Sequence, residues 1–254
     1  MVYAFKNKWG ELGSGAGQFK GPTGIAVDTS GRVYVVDSGN SRIQVFKLTS
    51  PCPSGTTQVA AGVCYVRQWG GAGTGNGQFN QPRDIALDSS GRVYVTDTQN
   101  HRIQMFKGIG TFMKAWSSDG PGTSQFEDLR GIAVDTSTND IYLFEENTER
   151  DTYIHKFRLA SPCPSGAIEV VPGICFISKR RIYHAEPNGR YYEARGVTIN
   201  SPTHVLYVSG ERSEVGGYDS HIHTFTSDAN PLGVSWGERQ VMLMEGSSCQ
   251  WALV

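Results

Sequence analysis

The sequence predicts an all-β fold, a β-propeller of four-stranded antiparallel blades with about four blades present. The first observation is a repeat: GPTGIAVDTSGRVYVVDSGNSRIQVFK at 21–47 recurs as QPRDIALDSSGRVYVTDTQNHRIQMFK at 81–107. The second is that each copy holds three short alternating runs separated by turn residues, which is typical of a strand meander a–b–c. The third is a further run, strand d, which often ends in Trp-Gly, as at 9–10, 69–70 and 236–237.

The repeats cover most of the 254 residues. A third copy runs from Leu129 to Phe157 and a weaker fourth from Ala194 to Phe225. We therefore predict one propeller domain over 1–237, with repeats at about 21–69, 81–116, 129–178 and 194–236, and a divergent C-terminal tail over 238–254.

Within the first two repeats, the string P-x-x-I-A-[VL]-D-x-S-G-R-V-Y-V-x-D-x-x-N-x-R-I-Q-x-F occurs almost without deviation. This string resembles the NHL repeat family, whose Asn-His-Leu-like stretch appears here at 100–102 and, altered, at 40–42. The resemblance implies a ring that commonly closes with six blades. It also implies a binding scaffold, and some members of the family bind RNA through a positive face.

The sequence also contains a duplication that is longer than one blade. The segments LTSPCPSGTTQVAAGVCYV at 48–66 and LASPCPSGAIEVVPGICFI at 159–177 are copies of one insert, and Cys52 and Cys163 are 111 residues apart. Two blades thus form the duplicated unit, and three units would need about 330 residues by the resemblance to six-bladed rings. The alternatives are a closed ring of four blades and an incomplete six-bladed ring. We favour the incomplete ring, with self-association through its exposed ends.

The cysteines predict an oxidising location. Two cysteines stand twelve positions apart in each insert, and no second CxxC or nearby His completes a zinc set. We predict disulfides Cys52–Cys64 and Cys163–Cys175, with four reduced, buried thiols as the alternative, and Cys249 is left unpaired. Disulfides indicate an extracellular, cell-surface or periplasmic protein.

Charge and hydropathy limit the classes of partner that the sequence predicts. The formal net charge of −1 provides no general basic field for nucleic acid or anionic lipid, so a nucleic-acid partner is disfavoured. The longest apolar runs are too short to span a membrane, and the first twenty residues lack the pattern of a signal peptide.

The polar residues of the repeat are interpreted as structural. Asp37 with Arg42, and Asp97 with Arg102, end strand b and open strand c, so each pair is expected to fasten the b–c turn, with the Asp accepting from backbone donors of that turn. The prediction includes no catalytic residue, no metal and no cofactor. Three phenylalanines that precede strand a are expected to pack between neighbouring blades: Phe19, Phe79 and Phe126.

Candidate binding residues lie on the face that carries the d–a and b–c loops. The b–c interval grows from six steps between Asp37 and Ile43 to thirteen between Ser209 and Ile222, and loops that lengthen in this way often carry function. Basic and aromatic residues interleave there: Lys179, Arg180, Arg181, His184, Arg190, Tyr191, Tyr192 and Arg195. We predict a non-enzymatic scaffold with a protein or glycan partner.

Two alternatives stay open at this stage. One is an RNA-binding NHL domain, and the other is a metal-dependent, lyase-like propeller enzyme, since the amidating lyases of this fold carry a metal with His ligands. His221 and His223 share one strand face and could supply half of a metal site.

Overall fold

The computed structural model describes residues 8–118, 125–183, 192–214, 217–226, 240–245 and 248–253. Its strands form antiparallel sheets, four of which are the blades of a four-blade β-propeller, so the predicted fold class is confirmed. The helical elements in the described ranges are two 3-10 turns at 38–40 and 98–100, and no described helix has the length and apolarity needed to cross a membrane.

Strands a, b and c of each blade run in chain order outward from the innermost position. The first blade contains β1 (Pro22–Val27), β2 (Arg32–Asp37), β3 (Arg42–Leu48), β4 (Thr57–Ala60) and β5 (Val63–Gly70). The second contains β6 (Pro82–Leu87), β7 (Arg92–Asp97), β8 (Arg102–Lys107) and β9 (Phe112–Trp116). The third contains β10 (Asp128–Asp135), β11 (Asp140–Glu146), β12 (Thr152–Leu159), β13 (Ile168–Val171) and β14 (Ile174–Tyr183). The fourth contains β15 (Tyr192–Asn200), β16 (Val205–Glu214) and β17 (Gly217–Thr226), and a hairpin of β18 (Gln240–Glu245) and β19 (Ser248–Leu253) contacts β17.

The duplicated insert adds a strand to two blades. In the first and third blades the order is a–b–c–d with an extra outer strand, β4 beside β5 and β13 beside β14. These blades therefore have five strands rather than the four predicted. The predicted disulfides span these hairpins, with Cα–Cα distances of 5.5 Å for Cys52–Cys64 and 5.6 Å for Cys163–Cys175.

The fourth blade differs from the sequence expectation at its b–c connection. The interval between Ser209 and Ile222 was expected to form a long loop, but β16 and β17 remain paired from Val205 with Thr226 to Glu214 with Gly217. The added residues therefore extend a hairpin, because hydrogen bonding between the strands continues past the end of the repeat. The expected outer strand near Trp236 lies outside the described residues. Cys249 lies on β19, but its side chain is outside the described part of the structure.

Strand b of the first three blades is buried on both faces, which explains its continuous apolar run. Tyr34 and Val36 point toward the second blade, where they pack with Ile85, Val93 and other buried residues. The turn before this strand is an Asx turn, because Asp28 Oδ1 accepts from the Ser30 amide at 2.9 Å. Consecutive blades pack in this way along the chain, first on second, second on third and third on fourth.

Aromatic residues join the second and third blades to the blade before each of them. The predicted packing between blades is confirmed for Phe79 and Phe126, whose ring centroids lie 5.7 and 6.2 Å from Phe106 and Phe157 of strand c. Phe19 lies 5.8 Å from Phe46 of the first blade, and the structure describes no blade before that one. A tryptophan contacts the same ring: Trp69 and Trp116 of the preceding blades lie 5.8 Å from Phe106 and 5.9 Å from Phe157, and Trp9 lies 6.0 Å from Phe46. Phe106 and Phe157 are thus each the centre of a blade-to-blade contact.

We predict that Phe106→Ala lowers the free energy of unfolding by about 3–5 kcal/mol, because the ring is fully buried and its removal leaves a cavity at the blade boundary. Urea unfolding measures this change. Phe106→Leu keeps most of the volume and should cost less than half as much. Equal losses for the two variants would show that cavity formation at this ring is not what stabilises the boundary.

Candidate functional site

The candidate site is the face formed by the d–a and b–c loops, which we call the loop face. Its organising group in the first blade is the fully buried carboxylate of Asp37 at the end of β2. This carboxylate accepts from Lys20 N at 2.7 Å, Asn40 Nδ2 at 2.9 Å, Arg42 Nε at 2.7 Å and Gln44 Nε2 at 3.1 Å. Four donors satisfy the buried charge, so its removal from water is compensated.

The same arrangement recurs in the second blade. There Asp97 accepts from the equivalent donors Asn80 N at 2.7 Å, Asn100 Nδ2 at 2.9 Å, Arg102 Nε at 2.7 Å and Gln104 Nε2 at 3.0 Å. The backbone donors, Lys20 and Asn80, belong to the d–a loops. Our expectation that the backbone donors come from the b–c turn was wrong, since that turn supplies only an Asn side chain.

Arg42 extends this network into the d–a loop. Its guanidinium donates to the carbonyls of Ser14 at 2.5 Å, Gly15 at 2.9 Å and Gln18 at 2.9 Å. Gly17, with φ of 75°, directs its amide to Gln44 Oε1 at 3.0 Å. The glycine string is therefore a connection into the first blade whose backbone is held by one Arg and one Gln.

The third blade keeps the buried carboxylate but changes its partners. Glu145 accepts from Glu127 N at 2.6 Å, and its other oxygen lies 2.6 Å from His155 Nε2 and 3.3 Å from Lys179 Nζ. Burial opposes ionisation, but the hydrogen bond and charge of His155 outweigh it and hold the pKa of Glu145 below its ordinary value. Tyr153 stands where Arg42 stands in the first blade, and Lys179 lies 4.4 Å from the centre of its ring. A cation from strand d thus replaces the missing Arg of strand c.

Three of the predicted binding residues lie on the loop face in ion pairs. Lys179 contacts Glu145, Arg181 Nη1 lies 3.1 Å from Asp151 Oδ2, and Arg195 Nη2 lies 3.2 Å from Glu211 Oε2. Arg180 lies between Lys179 and Arg181 on β14. The remaining predictions fall outside the described part of the chain: His184, Arg190 and Tyr191 entirely, and the side chains of Tyr192, His221 and His223.

Two further arginines on this face were not singled out from the sequence. Arg83 and Arg130 occupy the same position of strand a as Arg195, near its start. Arg83 Nη1 lies 3.8 Å from Asp128 Oδ1, and Arg130 Nη2 lies 2.8 Å from Asp128 Oδ2 and 3.3 Å from Glu146 Oε2. Alignment of the four a strands reveals this column of arginines, with Thr23 in the first blade.

Asp84 joins the innermost strands of the second and third blades. Its two oxygens accept from Ile85 N at 2.8 Å and Ile132 N at 3.0 Å, next to the irregular pairing at the start of each strand. Burial raises the pKa of Asp84 to about 6, because these two amides only partly offset the loss of water around the carboxylate.

The fold and these loop contacts define a β-propeller whose blades are fastened by a buried carboxylate and a cation. The NHL repeat family profile matches residues 19–46 and 79–106, which confirms the NHL resemblance in the first two blades.

The chain is similar to two proteins of known sequence and to one solved structure. Over 92 residues the chain is 35% identical to human NHL repeat-containing protein 3, a match that covers 35% of this chain and 23% of that protein. Over 116 residues it is 30% identical to Drosophila melanogaster protein brain tumor, covering 45% of this chain and 10% of the relative. Each match thus spans a quarter or less of the relative's length. The structure of RRP9 WD40 repeats superimposes with a TM-score of 0.53 at 9% identity, over 87% of this chain and 51% of that one.

We predict that Asp97→Ala destabilises the protein by about 3–5 kcal/mol, because four donors, one of them charged, lose their acceptor. Arg102→Ala should cost less, since the Asp97 carboxylate keeps three of its donors. Urea denaturation of both variants tests this order. The reverse order would show that the contacts of Arg102 with the d–a loop contribute more to stability than the Asp97 carboxylate does.

Asp84 predicts a pH dependence of stability. Because its pKa in the folded protein is about 6 and thus above the ordinary value of 3.8, its contribution is fully present below about pH 4 and is lost as pH rises through 6. The loss is up to about 3 kcal/mol. Asp84→Asn should remove this fall between pH 4 and 7, as measured by urea unfolding at several pH values. Glu11→Gln, at an exposed carboxylate, is the control and should keep it. An unchanged profile in Asp84→Asn would contradict the assignment.

Proposed function

We propose that this chain is a non-enzymatic interaction scaffold that recognises a protein through its loop face, in an oxidising, extracellular setting. A propeller of NHL repeats with WD40-like architecture supports the role of protein-interaction scaffold. The d–a loops before the first and second blades are held by buried ion pairs, Asp37 with Arg42 and Asp97 with Arg102, in the absence of a partner. Loops held in this way bind a partner with a smaller entropic cost of ordering.

The observation that carries the proposal is the pairing of charges on this face. Each of five basic side chains lies within 4.0 Å of a carboxylate: Arg83, Arg130, Lys179, Arg181 and Arg195. Half or more of the Arg181 side chain and nearly half of Arg195 are nonetheless exposed. The carboxylates of Glu145 and Asp151 are buried, whereas about a third of Glu211 and of Asp128 is exposed, so both signs of charge reach the surface. A surface with both signs favours a protein partner, whose own charges can match it.

The same pairing weighs against RNA as the partner. Binding to single-stranded RNA depends on cations that neutralise phosphates and release counterions. The five basic groups named above already neutralise carboxylates, and a phosphate would have to compete with those carboxylates. The sequence predicts either a protein or a glycan as the partner. The charged character of the face favours a protein.

The buried polar groups of the loop face support a role other than catalysis. Asp37 with Arg42, Asp97 with Arg102 and Glu145 with His155 are engaged in holding d–a loops. Groups of this kind are candidates for acid–base chemistry when they face a cleft, but structural ion pairs also shift pKa values. The pKa shift of Glu145 has such a structural cause, its contact with His155.

The two hairpin disulfides support the proposed location. Cys64 and Cys175 are fully buried, and each disulfide connects the segment before an extra outer strand to the strand that follows it. Disulfides of this kind form and persist in oxidising compartments. For this reason we propose an oxidising, extracellular location for the protein.

The test compares two classes of ligand on one pair of variants. A phage-displayed library of random dodecapeptides is selected on the immobilised protein, and a random single-stranded RNA 20-mer is titrated by fluorescence anisotropy at 50 and 200 mM salt. Arg181→Ala/Arg195→Ala removes exposed cations from the loop face. Lys47→Ala/Lys107→Ala is matched in charge but lies at the ends of β3 and β8 on the opposite face.

We expect selected peptides whose binding weakens tenfold or more in Arg181→Ala/Arg195→Ala and is unchanged in the control. For RNA we expect no site-specific binding. An RNA affinity that falls about 50-fold between the two salt concentrations, as four phosphate contacts would require, and that depends on Arg181 and Arg195 would overturn the proposal in favour of RNA. Peptide binding that the control variant disrupts equally would place recognition elsewhere.

A further inference from the structure

The two ends of the row of blades expose positions that are buried or partly buried at the described boundaries between blades. At the first blade, Ile25 and Val27 of β1 are 63% and 60% exposed. The equivalent residues Ile85 and Ile132 are 3% and 2% exposed, because each packs against the blade before it. The first blade therefore presents an uncovered flank, which we call the Ile25 flank.

The fourth blade presents the opposite half of the same contact. Tyr207 of β16 is 36% exposed, whereas its equivalents Tyr34, Tyr94 and Tyr142 are at most 2% exposed. Those three tyrosines point forward and pack against the next blade: Tyr34 with Ile85, Tyr94 with Ile132 and Tyr142 with Leu206. The surface around Tyr207, which we call the Tyr207 flank, thus has the chemistry that covers an Ile25-type flank.

The Ile25 flank is open only at its innermost strand. Its outer part is covered, because Trp9 packs on Phe46 where Trp69 packs on Phe106 in the next boundary. An occupant must therefore bring a blade's inner strands beside a segment that already fills the outer-strand position. A blade with the same repeat meets this requirement, and a flat, unrelated surface does not.

We propose that two copies of this chain associate head to tail, with the Tyr207 flank of each packed on the Ile25 flank of the other. This contact continues the blade-to-blade interface seen three times within the chain. It joins two different surfaces, and such a contact closes into a ring when the rotation per subunit allows. Two copies supply eight blades, and propeller rings of four to eight blades are typical, so a ring of two copies lies within that range.

The inference is independent of the proposed function, since the flanks lie at the ends of the row and not on the loop face. Its test is the mass in solution by multi-angle light scattering over a range of micromolar concentrations. Ile25→Glu blocks one flank and Tyr207→Glu blocks the other. Ile109→Glu is the matched control, because Ile109 is 55% exposed but lies in the turn between β8 and β9.

The unmodified chain and Ile109→Glu should have twice the 27.7 kDa mass of one chain. Each flank variant alone should be a monomer, because every contact in the ring uses one Ile25 flank and one Tyr207 flank. An equimolar mixture of the two variants should recover a heterodimer, since one of its two contacts is intact. Val27→Glu repeats the first test should Ile25→Glu fail to fold, as judged by circular dichroism.

Three results would overturn the proposal. A monomeric unmodified chain at all concentrations would show that the flanks are closed within one chain or await blades of another kind. A dimer that survives both flank substitutions would show that copies meet through a different surface. A mixture no heavier than its components would show that the two flanks do not bind each other.

Discussion

The buried carboxylate at the end of strand b is the group on which the rest of the loop face depends. In the first blade, Asp37 draws an arginine, a glutamine and a d–a loop amide into one network. The carboxylate is stable only because four donors replace water, and those donors include the backbone of the loop that leads in from the preceding outer strand. One charge thus sets the position of the loop, of the start of strand c and of the aromatic ring that follows the glycine string.

The third blade shows which parts of this network can vary. Its carboxylate is one methylene longer, its guanidinium is absent, and the cation arrives from strand d as Lys179. The amide of the d–a loop, here from Glu127, remains. What persists across the blades is therefore the charge and its backbone donor, while the side-chain partners exchange. This difference separates the constraint of the fold from the choice of residues that meets it.

The blades, the aromatic packing and both disulfides follow from the sequence because identical residues recur at identical intervals. Local spacing is enough for such features. The replacement of Arg42 by Lys179 did not follow, since it depends on the register between β12 and β14. The pairing of Arg83 with Asp128 likewise depends on how two blades pack. The hairpin that ends at Glu214 was missed because a long interval between strands reads as a loop when pairing partners are unknown.

The hairpins of the duplicated insert have a consequence for the sheet edges. In the third blade, Lys114 of the neighbouring β9 donates to the carbonyl of Pro172, so the hairpin reaches across to the outermost strand of the second blade. Unprotected outer strands are templates for pairing with other chains, and natural sheets cover or charge them. An insert in every second blade thus shields two edges at once: its own, which moves out to a four-residue strand, and that of the plainer blade beside it. The insert of the third blade thereby protects two neighbouring blades against fibre-like association.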